Sequence, residues 1–496
     1  MKRILMRGAL SPIYNNNPYE VLIDDLIGTN TGNMIFMNSV YRTLLVEDTV
    51  IDTIKIHNKT FTDKDIQKIN KNYDCFVMPL ANAFRKTFIN ELRNLTGLVK
   101  RLKIPCYVIG VGVQLPLGCE MEEFYPYKED VKNFVNAVLE KSNIIGVRGQ
   151  TTADFLTELG YQAEKDFTVI GCPSMYTYGE KLPDFNNVSI DSNSKICINS
   201  KPVHEKKPEV INFFTETVKK YPNYTYFPQH IKDIRRIFFG EGPGEHKDIK
   251  FYDDKNAIAF TNMQKWFDYF KGFDLSVGTR IHGNIAAIIG GIPSLIIPPD
   301  NRVLELAEYH NIPHVPIDAL KKGIDLQKIV SETDFNSIHI GHKERFNHYV
   351  DFLNKNELDH IYKHDYYGDV PFDRIVKENI DEQAILTPFE SCTTEEKIKR
   401  LQTARKMYQN KLHSTTIELK ATRKKLEVAN QIINDSSQIQ SYTKSQITSR
   451  KFDTFSTALK NPKLLKLIIQ EKLGKDVSKE AKEVKREIQL KKNKKQ

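Results

Sequence analysis

Short apolar runs alternate along this chain with segments in which apolar residues recur every three or four positions. Asp74–Leu80, Pro105–Gln114, Ile144–Arg148 and Asp166–Gly171 have the length and bounding turns of buried strands. Between them, Phe88–Leu102 (with Leu92, Leu95, Leu98, Val99 and Leu102 on one face), Val131–Lys141 and the stretch from Gly149 to Gly160 carry the helical period. The first fifty residues repeat the theme more weakly. They suggest a strand over Glu20–Ile27, a glycine turn over Gly28–Asn33, a helix over Ile35–Leu45 and a short strand over Thr53–Ile56. After a polar, turn-rich stretch at Leu182–Ser194, a second alternation begins. Its predicted strands are Ile196–Asn199, Tyr224–Pro228, Ile249–Tyr252, Leu275–Val277 and Ser294–Ile297; its helices are Glu209–Lys220, 230–238, 262–271, a Gly/Ala-rich helix after Arg280, and Val303–His310. A glycine-rich loop, Gly240–Gly244, and a long helix over 336–354 complete it.

Strands alternating with helices at this spacing predict an α/β fold, with parallel sheets covered on both faces. The expected organisation is an N-terminal α/β domain over 1–182, a C-terminal α/β domain over 195–330, a helical return over 331–392 and a basic helical tail over 393–496. Ligand sites in paired α/β domains lie in the cleft between them.

The tail changes the pattern. Ile398, Arg405, Leu412, Leu419, Leu426 and Ile433 recur every seven residues, with Leu401, Tyr408, Thr415, Thr422 and Ala429 three positions later. This is a heptad repeat with one polar seam, which suits either a solvated helix or self-association as a coiled coil. A Ser/Gln/Thr-rich break is expected over 435–450. Phe452–Leu473 is apolar and flanked by lysines, the character of a helix that contacts an anionic membrane surface or a partner.

Charge sharpens this division. The net charge is +9, but residues 393–496 hold 26 Lys/Arg against 11 Asp/Glu, a balance of +15. Residues 1–392 therefore carry −6, so a basic nucleic-acid-binding surface on the globular part is not expected. No run of about 18 apolar residues occurs, and the apolar run after Met1 is too short for a signal peptide. A cytoplasmic location is the expectation, with peripheral contact at the inner face of the membrane open to the tail. The six cysteines lack metal-ligand spacing; Cys75, Cys106 and Cys197 fall inside predicted strands, as reduced core residues do.

The candidate chemistry sits at strand ends. Gly278-Thr-Arg280-Ile-His282-Gly283 joins an apolar strand to a small-residue helix, at the edge of a parallel sheet where ligands bind. Arginine suits bidentate contact with a carboxylate or phosphate, and histidine is the natural acid or base near neutral pH. Arg148 ends the strand Ile144–Arg148, and Arg302 follows the strand Ser294–Ile297. Gln114 and Asn33 lie in strand-end turns. An arginine in such a turn is commonly a surface ion-pair partner, and a lone histidine commonly a capping residue; here the pairing of Arg280 with His282 favours function. The Asp253-Asp254 pair lacks a third ligand for a metal.

These residues resemble the polysaccharide pyruvyl transferase family. The resemblance rests on Gly-Thr-Arg280-Ile-His282-Gly with the later Gly-Gly-Ile-Pro-Ser, on Ile-Ile-Gly-Val-Arg148 with Leu-Thr-Glu-Leu-Gly160, and on Ile-Gly-Val-Gly-Val-Gln114, and it spans about residues 20–325 in order. It implies two Rossmann-like domains in a glycosyltransferase-B-like arrangement, and transfer of a pyruvyl group from phosphoenolpyruvate to two hydroxyls of a sugar in a surface polysaccharide or its lipid-linked precursor. No cofactor and no metal are implied, with phosphoenolpyruvate as donor substrate. His282 would be the acid/base, and Arg280, Arg148 and Arg302 would hold the donor, with Gln114 and Asn33 as substrate-binding turn residues. The chain departs from the family at Gly32-Asn33 (usually Gly-Asp), at Gly149 (usually acidic), at Met78–Ala81 (usually a glycine run) and at Arg302 (often Lys). Two other readings stand beside it: a nucleotide-sugar glycosyltransferase, and a non-catalytic scaffold acting through its tail.

Overall fold

A computed structural model describes residues 1–57, 59–114, 126–200, 207–240, 254–321 and 323–445. Residues rich in Ile, Val, Cys and Phe form its strands. Four of them, β1 (Lys2–Arg7), β2 (Thr49–Ile54), β3 (Cys75–Pro79) and β4 (Cys106–Ile109), make a parallel sheet in the order β2-β1-β3-β4. Ile4 is in register with Ile51 on one side and Cys75 on the other. β5 (Ile145–Val147) and β6 (Phe167–Val169) pair in parallel. A bridge from Val111 to Val147 and a bond from Gly110 N to Gly146 O (2.9 Å) tie that pair to the end of β4. β7 (Ile196–Ile198), β8 (Thr225–Tyr226), β9 (Ala259–Phe260), β10 (Leu275–Gly278), β11 (Ser294–Ile296) and β12 (Ile385–Leu386) complete the set. Four of these form a second parallel sheet, β11-β10-β7-β8, while β9 and β12 pair antiparallel. The fold is thus α/β with parallel sheets, as the alternation predicts.

Four expectations are corrected. Glu20–Ile27 is not a strand: Pro18–Ile23 is a short helix, because the Asn17 side chain accepts from Tyr19 N and Pro18 opens the first turn. The strand that the sheet needs comes from Lys2–Arg7. The strand expected at Thr53–Ile56 runs instead over Thr49–Ile54, in parallel with β1. The long helix over 336–354 is broken: a 3-10 turn (Phe335–His339) ends before Gly341, whose φ of 66° is left-handed, and a new helix runs His342–Lys355. The break expected from residue 435 does not begin there, since the helix Thr394–Ser445 continues through it with no Gly or Pro to stop it. Residues 241–244 of the glycine loop, the strand Ile249–Tyr252, Asp253, Cys119, the last part of the 435–450 break and the helix Phe452–Leu473 lie outside the described residues.

Met1–Gln409 form one compact unit and Asn410–Gln496 a second. Within the first, the return segment fastens onto the start of the chain. Arg42 is bidentate to Asp373 at 2.9 and 2.6 Å, and the Asn356 side chain receives Asn143 N and donates to Ile144 O. The opening turns of the Thr394–Ser445 helix bury Arg400, which donates to the carbonyls of Phe238 and Thr387, and Ala404. Ile398, Leu401 and Tyr408, the heptad positions of those turns, stay exposed. In the second unit Leu412, Leu419 and Leu426 are exposed on the same frame.

At the carboxyl ends of the paired parallel strands β7 and β10 the backbones come very close. A Cβ added at Gly278 would lie 1.9 Å from the carbonyl oxygen of Asn199. Backbone cannot retreat there, because Arg280 N donates to that same oxygen at 2.9 Å. Gly278→Ala is therefore expected to destabilise the fold by about 3 kcal/mol, the upper part of the overpacking range. The check is a drop of several degrees in thermal midpoint, against an unchanged or raised midpoint for Gly97→Ala, a helical position where an added Cβ meets nothing within 4 Å.

Candidate functional site

The turn after β10 is held by a chain of buried amides and hydroxyls. Gln229 Nε2 donates to Asn199 Oδ1 (3.2 Å), Asn199 Nδ2 to Ser276 Oγ (2.8 Å), Ser276 Oγ to Asn284 Oδ1 (2.8 Å), and Asn284 Nδ2 to the carbonyl of Arg280 (2.9 Å). A satisfied buried network of this kind allows one arrangement of the turn. The helix Ile281–Ile289 that follows is buried on every side, and His282 stands in its first turn.

His282 meets Arg148, which follows β5 of the pair tied to β4, so the carboxyl ends of β10 and β5 converge here. Arg148 Nη2 lies 3.4 Å from His282 Nε2, and the Cys172 sulfur 3.8 Å from the same nitrogen. The Phe36 ring stands edge-on to the imidazole and carries the Arg148 guanidinium over its face at 5.2 Å. Arg148 is completely buried; its Nη1 donates to Asn82 Oδ1 at 2.9 Å, and its Nε has no hydrogen-bond partner among the described residues. Burial lowers the pKa of this guanidinium; Cys172 opposes the fall and Arg302 adds to it. Burial is also the largest reason that the His282 pKa lies well below its usual value, followed by the positive charges of Arg148, Arg302 and Arg280. His282 is therefore neutral at pH 7 and able to accept the Arg148 hydrogen bond.

The structure brings Arg280, His282, Arg148 and Arg302 into one electrostatic neighbourhood. Arg302 is held by Asp300 at 3.1 Å. Gln114 lies at its edge, 3.4 Å from Arg85 Nη1. Asn33 is not drawn in: it is exposed, and its amide donates to the carbonyl of Gly28 at 2.8 Å. Its neighbour Gly32 is the residue beside the imidazole, where an added Cβ would stand 2.9 Å from His282 Nδ1.

Several neighbours escape a reading by sequence. Glu305 is the clearest. No acidic residue directly follows Arg148, yet a Cβ on Gly149 would sit 2.3 Å from the Glu305 carboxyl carbon. That carboxylate accepts from Thr151 N, and burial raises its pKa. A carboxylate thus reaches Gly149 from a different helix, Asn301–Tyr309, one turn past Arg302. The helical spacing from Arg302 is the signal that would have found it. Cys172 and His310 are joined through Cys172 N, which donates to His310 Nε2 at 2.8 Å. Asn82 and Arg85 lie in the turn after β3, where the rule that found Arg148 also applies.

Buried neutral histidines make stability depend on acid. His282 and His310 have pKa values well below the usual one, mainly from burial; His342 and His360 are lowered to about 4 by the same cause. Cationic Arg148 and Arg345 add to the effect at His310, as does His342. The unfolded chain protonates these rings near pH 6.5 and the folded chain does not. Stability is thus fully present above about pH 6.5 and falls as pH drops towards 4, by a few kcal/mol in sum. Thermal midpoints between pH 7.5 and 4.5 measure this, and a flat profile is the contrary result.

Comparisons with known proteins bear on this arrangement. The family model described as polysaccharide pyruvyl transferase matches residues 30–301, more than half of the chain and all of the strand-end residues from Gly32 to Asp300. The chain belongs to this family. No curated protein matches it. Among solved structures, UDP-GlcNAc 2-epimerase from Methanocaldococcus jannaschii is similar at 14% identity and a TM-score of 0.39, covering 71% of this chain and 99% of its own. The UDP-GlcNAc 2-epimerase from Neisseria meningitidis is 12% identical with a TM-score of 0.37, covering 72% and 100%. The glycosyltransferase SnogD from Streptomyces nogalater is 9% identical with a TM-score of 0.31, covering 70% and 95%. Within this pyruvyl transferase family member, the described residues contain no group of three or more His, Cys, Asp or Glu arranged to hold a metal ion, and no helix long and apolar enough to cross a membrane.

Proposed function

We propose that this pyruvyl transferase family member moves the enolpyruvyl group of phosphoenolpyruvate onto two hydroxyls of a sugar in a surface polysaccharide or its precursor. The observation that carries the reading is a buried, neutral His282 in contact with a buried arginine that has an unpartnered N–H. Arg280 and Arg302 act on the same imidazole. Phosphoenolpyruvate carries a carboxylate and a phosphate on one small frame, and these arginines suit both. The Nε of the buried Arg148, without a partner among the described residues, is costly until an acceptor arrives, which favours binding of an anionic donor.

The chemistry follows from that charge. Burial and the neighbouring arginines keep His282 neutral, the form that accepts a proton from an attacking sugar hydroxyl. A bound donor anion cancels the arginine fields, raises the imidazole pKa and lets the protonated ring donate. A proton added to the methylene carbon leaves positive charge at the adjacent carbon. One sugar oxygen bonds there, the carbon–oxygen bond to phosphate breaks, and the second hydroxyl closes the ketal. Of the two hydroxyl protons, one ends on the new methyl group and the other on the released phosphate. Glu305, beside Arg148, keeps the turn of Gly149–Thr151 in position through Thr151 N.

We also infer two Rossmann-like domains, 1–182 and 195–330, in a glycosyltransferase-B-like arrangement; the meeting of strand ends at Arg148 and His282 supports it. The exposed heptad seam at Leu412, Leu419 and Leu426 supports self-association of the tail. The test of the function is phosphate release from phosphoenolpyruvate across a panel of sugar acceptors, with thermal stabilisation by phosphoenolpyruvate compared with that by nucleoside diphosphates. Stabilisation by a nucleoside diphosphate alone, with no phosphate release, would replace this reading with a nucleotide-sugar glycosyltransferase. No stabilisation by either, and no release, would favour a scaffold.

A further inference from the structure

The arginines that surround His282 do not exhaust the cations at the strand ends. Arg7 closes β1 and Arg85 follows β3, on the same carboxyl edge of the first sheet. Their guanidinium carbons each lie 5.7 Å from the centre of one ring, that of Phe88. Among the described residues each guanidinium makes a single long hydrogen bond: Arg7 Nη1 to the carbonyl of Pro79 at 3.4 Å, and Arg85 Nη1 to Gln114 Oε1 at 3.4 Å. The Nε of each is buried without a partner among the described residues, and neither forms an ion pair there. Glu91 acts on Arg7 at longer range, but its own contact is with His57 at 3.6 Å. Two cations clasping one ring, in reach of each other's field and offset among the described residues by Glu91 at Arg7, gain from an anion that joins them.

Charge apportions the cations between two ligands. The carboxylate and phosphate of the donor are matched by Arg148, Arg280 and Arg302 at His282. Arg7 and Arg85 are surplus to that set, yet Asn82, in the same turn as Arg85, accepts from Arg148 Nη1 at 2.9 Å, so the two subsites adjoin. We propose that Arg7, Arg85 and Gln114 form a second anion subsite, which takes the phosphate or diphosphate group carrying the acceptor sugar. The inference rests on the donor assignment above for the identity of the neighbouring ligand. An acceptor held there by its phosphate presents its hydroxyls towards His282. The acceptor is then a phosphate-linked precursor rather than a finished neutral polymer.

The test titrates inorganic pyrophosphate and phosphoenolpyruvate separately into the full chain, its Arg85→Gln variant and its Arg280→Gln variant. Arg85 stands in a turn, so both its substitutions are expected to fold; Arg85→Lys is the second variant, keeping the charge without the fork. Pyrophosphate affinity is expected to fall roughly 10- to 100-fold in Arg85→Gln, to recover in part in Arg85→Lys, and to change less than about 3-fold in Arg280→Gln. Phosphoenolpyruvate should show the opposite dependence. A short prenyl diphosphate and uridine diphosphate form two further arms: the one that binds more tightly than pyrophosphate through Arg85 names the carrier as lipid or nucleotide. The proposal is overturned if pyrophosphate affinity follows Arg280, if it follows neither arginine, or if neither carrier binds. If phosphoenolpyruvate does not bind while pyrophosphate still depends on Arg85, the subsite stands and the donor assignment fails.

Discussion

His282→Ala is expected to lower kcat/KM for pyruvyl transfer by roughly 100- to 10,000-fold, the usual contribution of a positioned acid or base. The loss should lie mainly in kcat, because the arginines that hold the donor remain. His282→Gln keeps most of the side-chain bulk and a hydrogen-bonding atom beside Arg148 but cannot carry the proton, so it should be as inactive as alanine. A second readout is independent of turnover. Because the imidazole pKa is depressed by burial and by Arg148, Arg302 and Arg280, a bound anion should raise it and draw a proton from solution. Calorimetry of phosphoenolpyruvate binding in buffers of differing ionisation enthalpy should report proton uptake near pH 7 in the wild type and much less in His282→Ala. Full activity in the alanine variant, or identical proton uptake, would remove the histidine from the mechanism.

Arg148→Met should separate stability from function. The guanidinium is fully buried, with a bond to Asn82 and an Nε that finds no partner among the described residues. Replacing a poorly compensated buried charge with an apolar chain of similar reach is commonly neutral or stabilising. Donor affinity should nevertheless fall about 10- to 100-fold, the effect of losing charge-assisted bonds to an anion. Thermal midpoint and phosphoenolpyruvate titration, measured on the same preparation, check both halves. An unchanged affinity with a midpoint many degrees lower would mean that Arg148 is structural.

The legible parts of the fold were those written in local pattern. Buried runs such as Asp74–Leu80 and Ile144–Arg148 read as strands because apolar residues at that length, between turn residues, have few other uses. The start of the chain was misread because Glu20–Ile27 is apolar but short, and its state was settled by Asn17 and Pro18 at its entry rather than by its own composition. The site was legible to the extent that chemistry clusters at strand ends: Arg280 with His282, Arg148 and Arg302 meet. Asn33 lies outside that cluster because being next to Gly32 in sequence does not direct its side chain to the same side.

Sequence alone therefore determined the alternation of elements, the parallel sheets, the basic tail and the turn from Gly278 to Gly283, since each depends on residues within a few positions of one another. Tertiary structure decided what surrounds that turn. It set Arg148 beside His282, 134 positions away, and filled the gap at Gly149 with the carboxylate of Glu305. It also buried the imidazole deeply enough to hold it neutral, and set Arg7 and Arg85 around Phe88 with no ion pair among the described residues. Burial and the sum of distant charges depend on which chain segments pack together, and no local pattern of residues encodes that.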